Sequence, residues 1–405
     1  MRKSGTSALL AMPVILGLMT GALAQSASPP LKIGVLTDMS GPFSDIVGAG
    51  SVEAARLALE DAGGTVGGRP VEILVGDHQN KPDIGSQIAR RWYDLDGVDA
   101  IADVPVSSIA LAVQSIARER NKVVLFSGPG TDRLSNEDCA PYSAQWSYDT
   151  NTLARGTASA VVAGGGKNWF FLTSDYAFGH SLEEAAARVV KSTGGQVSGA
   201  VRHPMNASDL SAFLVQAQSS KAQVLGLANV GPDLRNAVKG AGEFGLLAGG
   251  QKVAALLMFD SDVVSMGLET AKGLNLTTAF YWDLNDDTRA FSKRFFERRN
   301  AMPNMIHAGV YSAVRHYLKA IEATGSTAPD QVFAWMRANP VKDAFTQNGR
   351  LREDGAMVHD MFLMEVKSPA ESKSKWDILK LVRKVDGNEA YPTLAESRCK
   401  TAPKP

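Results

Sequence analysis

Small hydroxyl residues and glycines stand directly behind two successive apolar runs of the chain. Ser107 and Ser108 follow the run VDAIADVPV, and Gly128, Gly130 and Thr131 come just after NKVVLF. A hydroxyl beside the free amides of a helix N-terminus binds a carboxylate well, and glycine lets the backbone approach a ligand closely. Ser107 and Thr131 are equally suited to capping helices. Two such loops in succession nevertheless favour a carboxylate site, because open parallel sheets bind ligands at the carboxyl ends of their strands.

The residue patterns of common enzymes and metal sites are absent from the sequence. It has no HExxH, CxxC, GxSxG or P-loop motif, and each of these spacings is required by a particular chemistry. Gly48-Ala49-Gly50 lacks the third glycine of a dinucleotide-binding loop. The histidines never stand at metal-ligand spacing, and Asp77-His78 has no nucleophile to serve. We therefore expect no catalytic residues, no metal and no cofactor, and a protein that is not an enzyme.

Alternating strands and helices must position these loops. The apolar, β-branched runs LKIGVLTD, RPVEILVGD, VDAIADVPV and NKVVLFSGPGT predict strands. Between the first two, Val52, Ala55, Leu59 and Ala62 recur at helical spacing ahead of a Gly-Gly stop. GSQIARRWYDLDG and SSIALAVQSIARERN predict the next helices. This alternation indicates a parallel sheet with helices on both faces.

The same order of elements starts again in the second half of the chain. KNWFFLTSDYAFGHSLEEAAARVVKSTGG repeats the strand, the glycine-ended loop, the Ser-led helix and the Gly-Gly stop of the first unit. Later strands are predicted at AQVLGLANV, KVAALLMFD and GLNLTTAFYWD, and a strand-like pair at GRLREDG and VHDMFLMEV. Later helices are predicted at GPDLRNAVKGAGEFG, DTRAFSKRFFERR, HAGVYSAVRHYLKAIEATG and DQVFAWMRANP. The predicted fold class is α/β, with two Rossmann-like lobes joined by short crossings.

The N-terminal segment has the order of a secretory signal peptide. Arg2 and Lys3 precede an apolar core shorter than the about 20 residues that a membrane-spanning helix needs. Ala22-Leu23-Ala24 forms a small-x-small cleavage pattern. We expect cleavage after Ala24, export to the periplasm and no membrane insertion. The alternative is a transmembrane anchor.

Net charge and cysteine content indicate which binding partners and which cellular compartment fit the chain. The 42 basic residues balance 42 acidic ones, which argues against a nucleic-acid or anionic-lipid surface. Cys139 and Cys399 are the two cysteines of the sequence. Disulfides persist in the compartment to which an exported chain goes, so we expect these two to pair. The alternative is two thiols too far apart to meet.

Nearly the whole chain resembles a known family. From LKIGVLTDMSGP through GDHQNKPDIGSQIARR, the SS and SGPGT loops, SDYAFGHS and LETAKGLNLT, it resembles the type I periplasmic binding proteins of the leucine/isoleucine/valine-binding kind, which serve ABC importers. The resemblance implies two lobes joined by three hinge crossings, a ligand in the cleft, and closure of the lobes that a membrane permease reads. We expect the protein to be a monomer.

The resemblance also implies a division of the chain into segments. We expect crossings at WSYDT, AFYWD and FTQNG. The expected segments are a signal peptide (1–24), the first lobe (25–149), the second lobe (150–279), a return to the first lobe (280–345), and a return to the second lobe with a C-terminal tail (346–405).

The carboxylate-binding residues follow from the resemblance one position at a time. Ser108 falls where the family places a hydroxyl that binds the ligand carboxylate. Thr131 falls where a second hydroxyl and a neighbouring backbone group do the same, with Ser107 and Gly130 beside them.

Aromatic residues are expected to surround the rest of the ligand. Phe178 takes the position of an aromatic that packs on the ligand from the second lobe, and Phe43, Trp146 and Tyr176 are the other candidates. Each of them is also a candidate for the hydrophobic core.

The sequence departs from amino-acid binders at the ammonium end. Asn229 and Val230 stand where those proteins tend to carry a tyrosine, and MFDSD stands where they carry a glutamate. If Asp260 or Asp262 faces the cleft, a branched-chain or similar amino acid fits. If neither does, an acid without an ammonium group is favoured, because a buried ammonium needs a carboxylate partner. The arrangement resembles the aromatic-acid-binding subset of the family, and an amide or urea-like ligand is a further alternative.

The function expected from these residues is solute binding for an ABC importer. A ligand sensor that reports to a signalling partner is an alternative of another class, which co-purification with a permease would separate from import. An exported α/β enzyme would need a nucleophile and base that the sequence does not show.

Overall fold

A computed structural model describes residues 29–400, together with Met1, Gly5 and Ala402. The apolar core of the predicted signal peptide and its cleavage point at Ala24 lie outside these residues. Strands and helices alternate along most of the described chain, as the hydrophobic patterns predict.

The strands are β1 Leu31–Thr37, β2 Thr65–Val66, β3 Arg69–Asp77, β4 Ala100–Asp103, β5 Val123–Phe126, β6 Ser143–Gln145, β7 Asn168–Ser174, β8 Gln196–His203, β9 Val224–Ala228, β10 Lys252–Ala255, β11 Asn275–Thr278, β12 Arg350–Leu351, β13 Met357–Val358, β14 Met361–Val366 and β15 Leu379–Val385. The α-helices are α1 Gly48–Asp61, α2 Pro82–Arg91, α3 Ser107–Glu119, α4 Thr150–Leu153, α5 Ser159–Ala163, α6 Ala177–Ser192, α7 Ser211–Ser219, α8 Pro232–Glu243, α9 Asp260–Met266, α10 Leu268–Ala271, α11 Asp286–Arg299, α12 Met305–Thr324, α13 Pro329–Ala338 and α14 Gly387–Ala390. Short π-helical turns extend α2 over Trp92–Asp96 and join α4 to α5 over Ala154–Ala158, and single 3₁₀ turns lie at Asp132–Ser135 and Leu394–Glu396.

The first sheet has six strands in the order β2-β3-β1-β4-β5-β6. Its pairings are parallel except that of β2 with β3. Ile33, Val35 and Val124 are completely buried, as expected for β-branched strands covered on both faces. The carboxyl ends of β1, β4 and β5 therefore lie side by side, where the loops containing Ser107 and Gly130 begin.

Helices from two distant parts of the sequence cover this sheet. Helix α12 packs on α1, on α13 and on strands β4 and β5, and α11 packs on α1. The chain thus returns to the first sheet after building the second. We call the six-stranded sheet with α1–α3 and α11–α13 the first lobe.

The second lobe combines a parallel and an antiparallel sheet. Strands β10-β9-β7-β8 form the parallel sheet, and β11-β14-β15 form the antiparallel one. With helices α4–α10 they make up the second lobe. The two segments expected to be strand-like, GRLREDG and VHDMFLMEV, contain the strands β12 and β14. Strand β12 pairs with β13, and β14 pairs with β11 and β15.

Three connections join the lobes. They lie between β6 and α4 (residues 146–149), between β11 and α11 (residues 279–285), and between α13 and β14 (residues 339–360). The predicted fold class is confirmed, whereas the exact positions of the crossings at WSYDT, AFYWD and FTQNG stay predictions. The residue bounds of the four lobe segments stay a prediction.

A disulfide between Cys139 and Cys399 confirms the expected pairing, with 5.6 Å between the Cα atoms. It holds the C-terminal segment against the first lobe. Beside it, the Ser397 hydroxyl donates to the Ser135 carbonyl at 3.3 Å, and the Arg398 amide donates to Asn136 Oδ1 at 3.0 Å.

Candidate functional site

A small cavity lies between the two lobes. The first lobe lines it with Phe43, Ile46, Val47, Pro105, Ser107, Gly128, Gly130 and Ile306. The second lobe contributes Tyr176, Phe178, Val230, Leu257 and Phe259, and the first connection contributes Tyr148. We call this cavity the pocket.

The polar groups of the pocket are concentrated at the start of α3. Ser107 is the first residue of that helix, and no side chain caps it, so the amides of its first turn have no partner within the helix. The Ser107 hydroxyl oxygen accepts a hydrogen bond from the Thr131 amide at 3.2 Å. The Tyr148 hydroxyl donates to the Gly128 carbonyl at 2.6 Å. A carboxylate placed here meets a hydroxyl, free amides and the positive end of the α3 dipole.

Each lobe presents a glycine to an aromatic ring of the other. A Cβ atom on Gly130 would lie 2.7 Å from Phe178 Cε2 and 2.9 Å from Tyr148 Cε2. A Cβ atom on Gly231 would lie 3.2 Å from the Phe43 ring. Because glycine has no side chain, the backbone of one lobe closes directly onto the rings of the other. The faces of aromatic rings therefore form part of the boundary of the pocket.

Within the described chain, the lining of the pocket contains no acidic side chain. Asp262 is fully buried in the second lobe. It accepts hydrogen bonds from Arg235 at 2.7 Å and from the Phe259 amide at 3.0 Å. Burial raises the pKa of Asp262 to about 6, while Arg235 and the Phe259 amide act in the opposite direction. Asp262 therefore stabilises the second lobe through these hydrogen bonds.

Asp260 lines a neighbouring cavity instead of the pocket. That cavity also contains Asp45, Arg299 and Trp376, and it adjoins the pocket because Val47 lines both. The Asp260 side chain is 4% exposed, and its Oδ2 has no hydrogen-bond partner among the described residues. Burial raises its pKa to about 7. Neither candidate for the ammonium partner thus reaches the pocket.

Three other predicted residues lie next to the pocket without lining it. Asn229 is fully buried, with its Nδ2 3.3 Å from His203 Nε2, and its neighbour Val230 lines the pocket. Thr131 is fully buried and gives its amide to Ser107. Ser108 is half-buried on the next position of α3. Their roles in ligand binding stay predictions.

The structure brings five of the predicted site residues together in the pocket: Phe43, Ser107, Gly130, Tyr176 and Phe178. The aromatic candidate Trp146 is instead fully buried, with its ring 5.8 Å from that of His316. It is a core residue.

Several lining residues are missing from the sequence-based set. Tyr148 stands in the segment WSYDT, which was expected to cross between the lobes, and Phe259 directly precedes Asp260. The sequence position of each residue, in an expected crossing or next to a candidate site residue, could have identified it as a lining residue. Ile306 comes from α12, and only the packing of α12 on the first sheet shows that it reaches the pocket.

Polar side chains link the lobes across the cleft. Arg235 of the second lobe donates to Asp45 of the first at 3.1 Å while it also donates to Asp262 at 2.7 Å. Near the first connection, the Ser181 hydroxyl of α6 donates to Asp132 Oδ1 at 2.8 Å. The lobes are therefore closed on the pocket, with an ion pair at one place and a hydroxyl–carboxylate bond at another.

A buried carboxyl lies behind the first-lobe wall of the pocket. Asp103 ends β4 and is completely buried. Asp103 and Val104 have φ angles of +77° and +50°, a left-handed conformation that is strained for a β-branched residue. A Cβ atom on Gly128 would lie 2.6 Å from Pro105 Cα and 3.0 Å from Asp103 Oδ1. Asp103 thus packs directly against residues that line the pocket.

Two features are absent from the described residues. No group of three or more His, Cys, Asp or Glu side chains is placed there to hold a metal ion. No helix in that part of the chain is long and apolar enough to cross a membrane.

Comparison with known proteins identifies relatives over most of the chain. Residues 30–374 match the family model for periplasmic binding proteins. The solved structure of a periplasmic binding protein from Burkholderia mallei is 49% identical, covers 92% of this chain and 99% of its own, and superposes with a TM-score of 0.90. A branched chain amino acid ABC transporter periplasmic ligand-binding protein from Burkholderia xenovorans LB400 is 39% identical with the same coverage and a TM-score of 0.83.

More distant relatives include proteins of differing ligand class. The Leu/Ile/Val-binding protein homolog 6 of Brucella melitensis is 26% identical over 304 residues, which are 73% of this chain and 76% of that protein. A solute binding protein of an ABC transporter from Rhodopseudomonas palustris BisB5, solved in complex with 3,4-dihydroxybenzoic acid, is 21% identical, covers 88% of this chain and 98% of its own, and has a TM-score of 0.79. At that identity the likeness shows a shared fold.

Proposed function

The chain belongs to the family of periplasmic binding proteins, and from this premise we propose that it binds a small carboxylic acid without an ammonium group, preferably an aromatic one, for import by an ABC transporter. The family and fold are those of solute-binding proteins, which bind their ligands and do not transform them. The proposed place of action is the periplasm, and the proposed partner is the membrane permease of the transporter.

The observation that carries the proposal is the chemistry of the pocket lining. Its polar groups, Ser107 and the free amides at the start of α3, suit a carboxylate. Its remaining surface is apolar or aromatic, with Phe43, Tyr176, Phe178 and Phe259 around the cavity. Aromatic rings that pack edge-to-face or offset-stacked contribute binding free energy in addition to that from the apolar area they bury.

The described lining residues include no acidic side chain, and this favours acids without an ammonium group over amino acids. An ammonium group moved from water into this lining would find no carboxylate among the described lining residues. An unpaired buried charge costs several kcal/mol. An acid that carries only the carboxylate avoids this cost, because its charged end lies at the polar start of α3.

Binding and closure are linked through the lobes. The first lobe presents Ser107 and the α3 amides, which are held by secondary structure and need little rearrangement. The second lobe brings Phe178 and Phe259 over the apolar part of the ligand. A ligand that contacts both lobes favours the closed form over the open one by its differential contacts, and closure is what a permease can detect.

A branched-chain amino acid is the second candidate ligand. It is supported by the 39% identity to the Burkholderia xenovorans protein that is described as a branched chain amino acid transporter component. The aliphatic lining residues Ile46, Val230 and Leu257 would also suit a leucine side chain. Such a ligand would have to satisfy its ammonium through backbone carbonyls alone.

A thermal-shift screen tests the proposed function. The exported form, from Gln25 onward, is melted with benzoates, cinnamates and phenylpropanoids beside branched-chain and polar amino acids. A ligand that binds only the folded state raises the melting temperature. We expect shifts with the ring acids. Shifts with amino acids alone would replace the proposal by the second candidate, and co-purification with a permease would test the import role.

A further inference from the structure

We infer that Asp103 couples the binding of a carboxylate ligand to the uptake of one proton. The inference rests on the proposed function, because it concerns an acid bound in the same pocket. In the step, the ligand arrives as an anion, one proton from solvent joins the Asp103 carboxylate, and the complex holds a neutral Asp103 beside the bound anion.

Asp103 lies directly behind residues that line the pocket. Its carboxyl packs against Gly128, at 3.0 Å from the place of a Cβ atom on that residue. Gly128 and Pro105 line the pocket, and Ser107 begins α3 four residues after Asp103. The proposed anion and the Asp103 carboxyl therefore lie on the two faces of one thin wall.

Among the described residues, no positively charged group acts on the pKa of Asp103. Burial raises the pKa of Asp103 to about 7, and the nearby hydroxyls of Thr37 on β1 and Ser51 on α1 act in the opposite direction. Neither oxygen of the Asp103 carboxyl has a hydrogen-bond partner among the described residues. Tyr148 from the first connection is buried, and its own pKa is raised by burial and by Asp103.

The other titratable groups on the elements packed around Asp103 are neutral or already paired. Asp38, after β1, accepts from the Gly41 and Phe43 amides at 2.7 and 3.0 Å. Glu53 of α1 pairs with Arg298 at 2.9 Å. His78 after β3 and His307 of α12 have their pKa lowered to about 4 by burial, so both are uncharged at neutral pH.

Two anions this close in a poorly solvated wall raise each other's affinity for protons. The ligand carboxylate is held ionised by the α3 amides, so Asp103 is the group that takes the proton. Above the pKa of free Asp103, each unit of pH then weakens binding by up to about tenfold, since one proton enters with the ligand. An amino acid brings its own ammonium charge and requires no such proton.

Isothermal titration calorimetry with 4-hydroxybenzoate as the probe tests the inference. The heat of binding at pH 8 in buffers of different ionisation enthalpy gives the number of protons taken up, and a pH series from 6 to 9 gives the affinity. We expect an uptake approaching one proton and an affinity that falls with pH. Asp103→Asn should abolish both effects, whereas Asp149→Asn, which replaces a buried carboxyl that caps α4, should retain them.

A second variant covers the case in which Asp103→Asn does not fold. Thr37→Val removes one hydroxyl that lowers the pKa of Asp103, so the fall in affinity should move to higher pH. Binding of the acid with no proton uptake in the wild type overturns the inference and leaves the proposed function intact. Failure of every ring acid in the panel to bind overturns the proposed function itself.

Discussion

Gly130 of the first lobe lies directly against Phe178 of the second, so that a Cβ atom on the glycine would come within 2.7 Å of Phe178 Cε2. The contact joins the loop after β5 to the start of α6, and both residues line the pocket. Closure of the lobes therefore depends on the absence of a side chain at position 130.

Gly130→Ala is expected to weaken ligand binding more than it weakens the fold. The added methyl group has no space in the closed form, and overpacking of this kind costs about 1 to 3 kcal/mol. Opening of the lobes would relieve the clash, so the cost falls on closure. Calorimetric affinity, together with the radius of gyration from X-ray scattering, measures both effects.

The matched control for this variant is Gly242→Ala on α8, where an added Cβ atom meets nothing within 4 Å. Gly242 lies in the last turn of α8, where alanine is favoured over glycine, and it does not line the pocket, so binding should be unchanged. Phe178→Leu in the Gly130→Ala background should recover part of the lost affinity. Wild-type affinity in Gly130→Ala alone would show that the lobes do not close on this contact.

Ser107→Ala should cost about 1 to 3 kcal/mol of binding free energy, because it removes a ligand donor and leaves the Thr131 amide without its acceptor. Ser108→Ala should change binding by no more than about 0.5 kcal/mol, since Ser108 lies outside the pocket lining. Titration calorimetry of the two variants gives the comparison. A larger loss for Ser108→Ala would favour the family-based placement of the carboxylate hydroxyl at Ser108 over the placement proposed at Ser107, which lines the pocket.

Asp45→Asn should weaken binding modestly and reduce its dependence on salt. The variant removes the ion pair across the cleft but keeps Arg235 paired with the buried Asp262. Because the Asp45 side chain is 46% exposed, the pair is worth about 0.2 to 1 kcal/mol.

Affinity measured from low to high ionic strength tests the role of Asp45. Asp286→Asn is the control, because its exposed pair with Arg289 lies within one lobe. Equal salt dependence of the wild type and Asp45→Asn would mean that the pair does not contribute to closure.

Asp260→Asn should become more stable relative to the wild type as the pH rises. The pKa of Asp260 is raised from 3.8 to about 7 by burial, so its contribution to stability is fully present below pH 4 and is lost as the pH rises through 7. Over that window the difference between the two proteins changes by up to about 1.4 kcal/mol per pH unit. Urea unfolding at several pH values gives this difference, and a difference that is constant with pH would mean that Asp260 titrates normally in the folded state.

The sequence predicted the strand and helix order well where the hydrophobic pattern was strong. LKIGVLTD and NKVVLF form buried parallel strands, and β-branched residues on both faces leave few other possibilities. The antiparallel strand β15, LKLVRKV, was not predicted. It exposes Leu381 and Val382 and has polar neighbours, so its pattern lacks the burial that marks the other strands.

The site was predicted in part, for a physical reason. Ser107 and Gly130 follow strands in sequence, so a local rule about strand ends was enough to find them. Which of two adjacent serines faces the pocket depends on the rotation of α3, which packing determines. The surroundings of Asp260 and Asp262 were equally hard to predict. Asp262 binds Arg235, which lies 27 residues away in the sequence, so only the folded structure shows this contact. Ile306 required the tertiary contact of α12 with the first sheet.

We propose that the pocket accepts a carboxylate and that its described lining residues offer an ammonium group no carboxylate partner. The most direct measurement compares pairs of ligands that differ only in that group: 4-methylpentanoate with leucine, and 3-phenylpropanoate with phenylalanine, each by titration calorimetry at pH 6.5. The account predicts that the acid of each pair binds more tightly, by about 100-fold or more if the buried ammonium costs several kcal/mol. Tighter binding of leucine and phenylalanine than of their deaminated counterparts would contradict it.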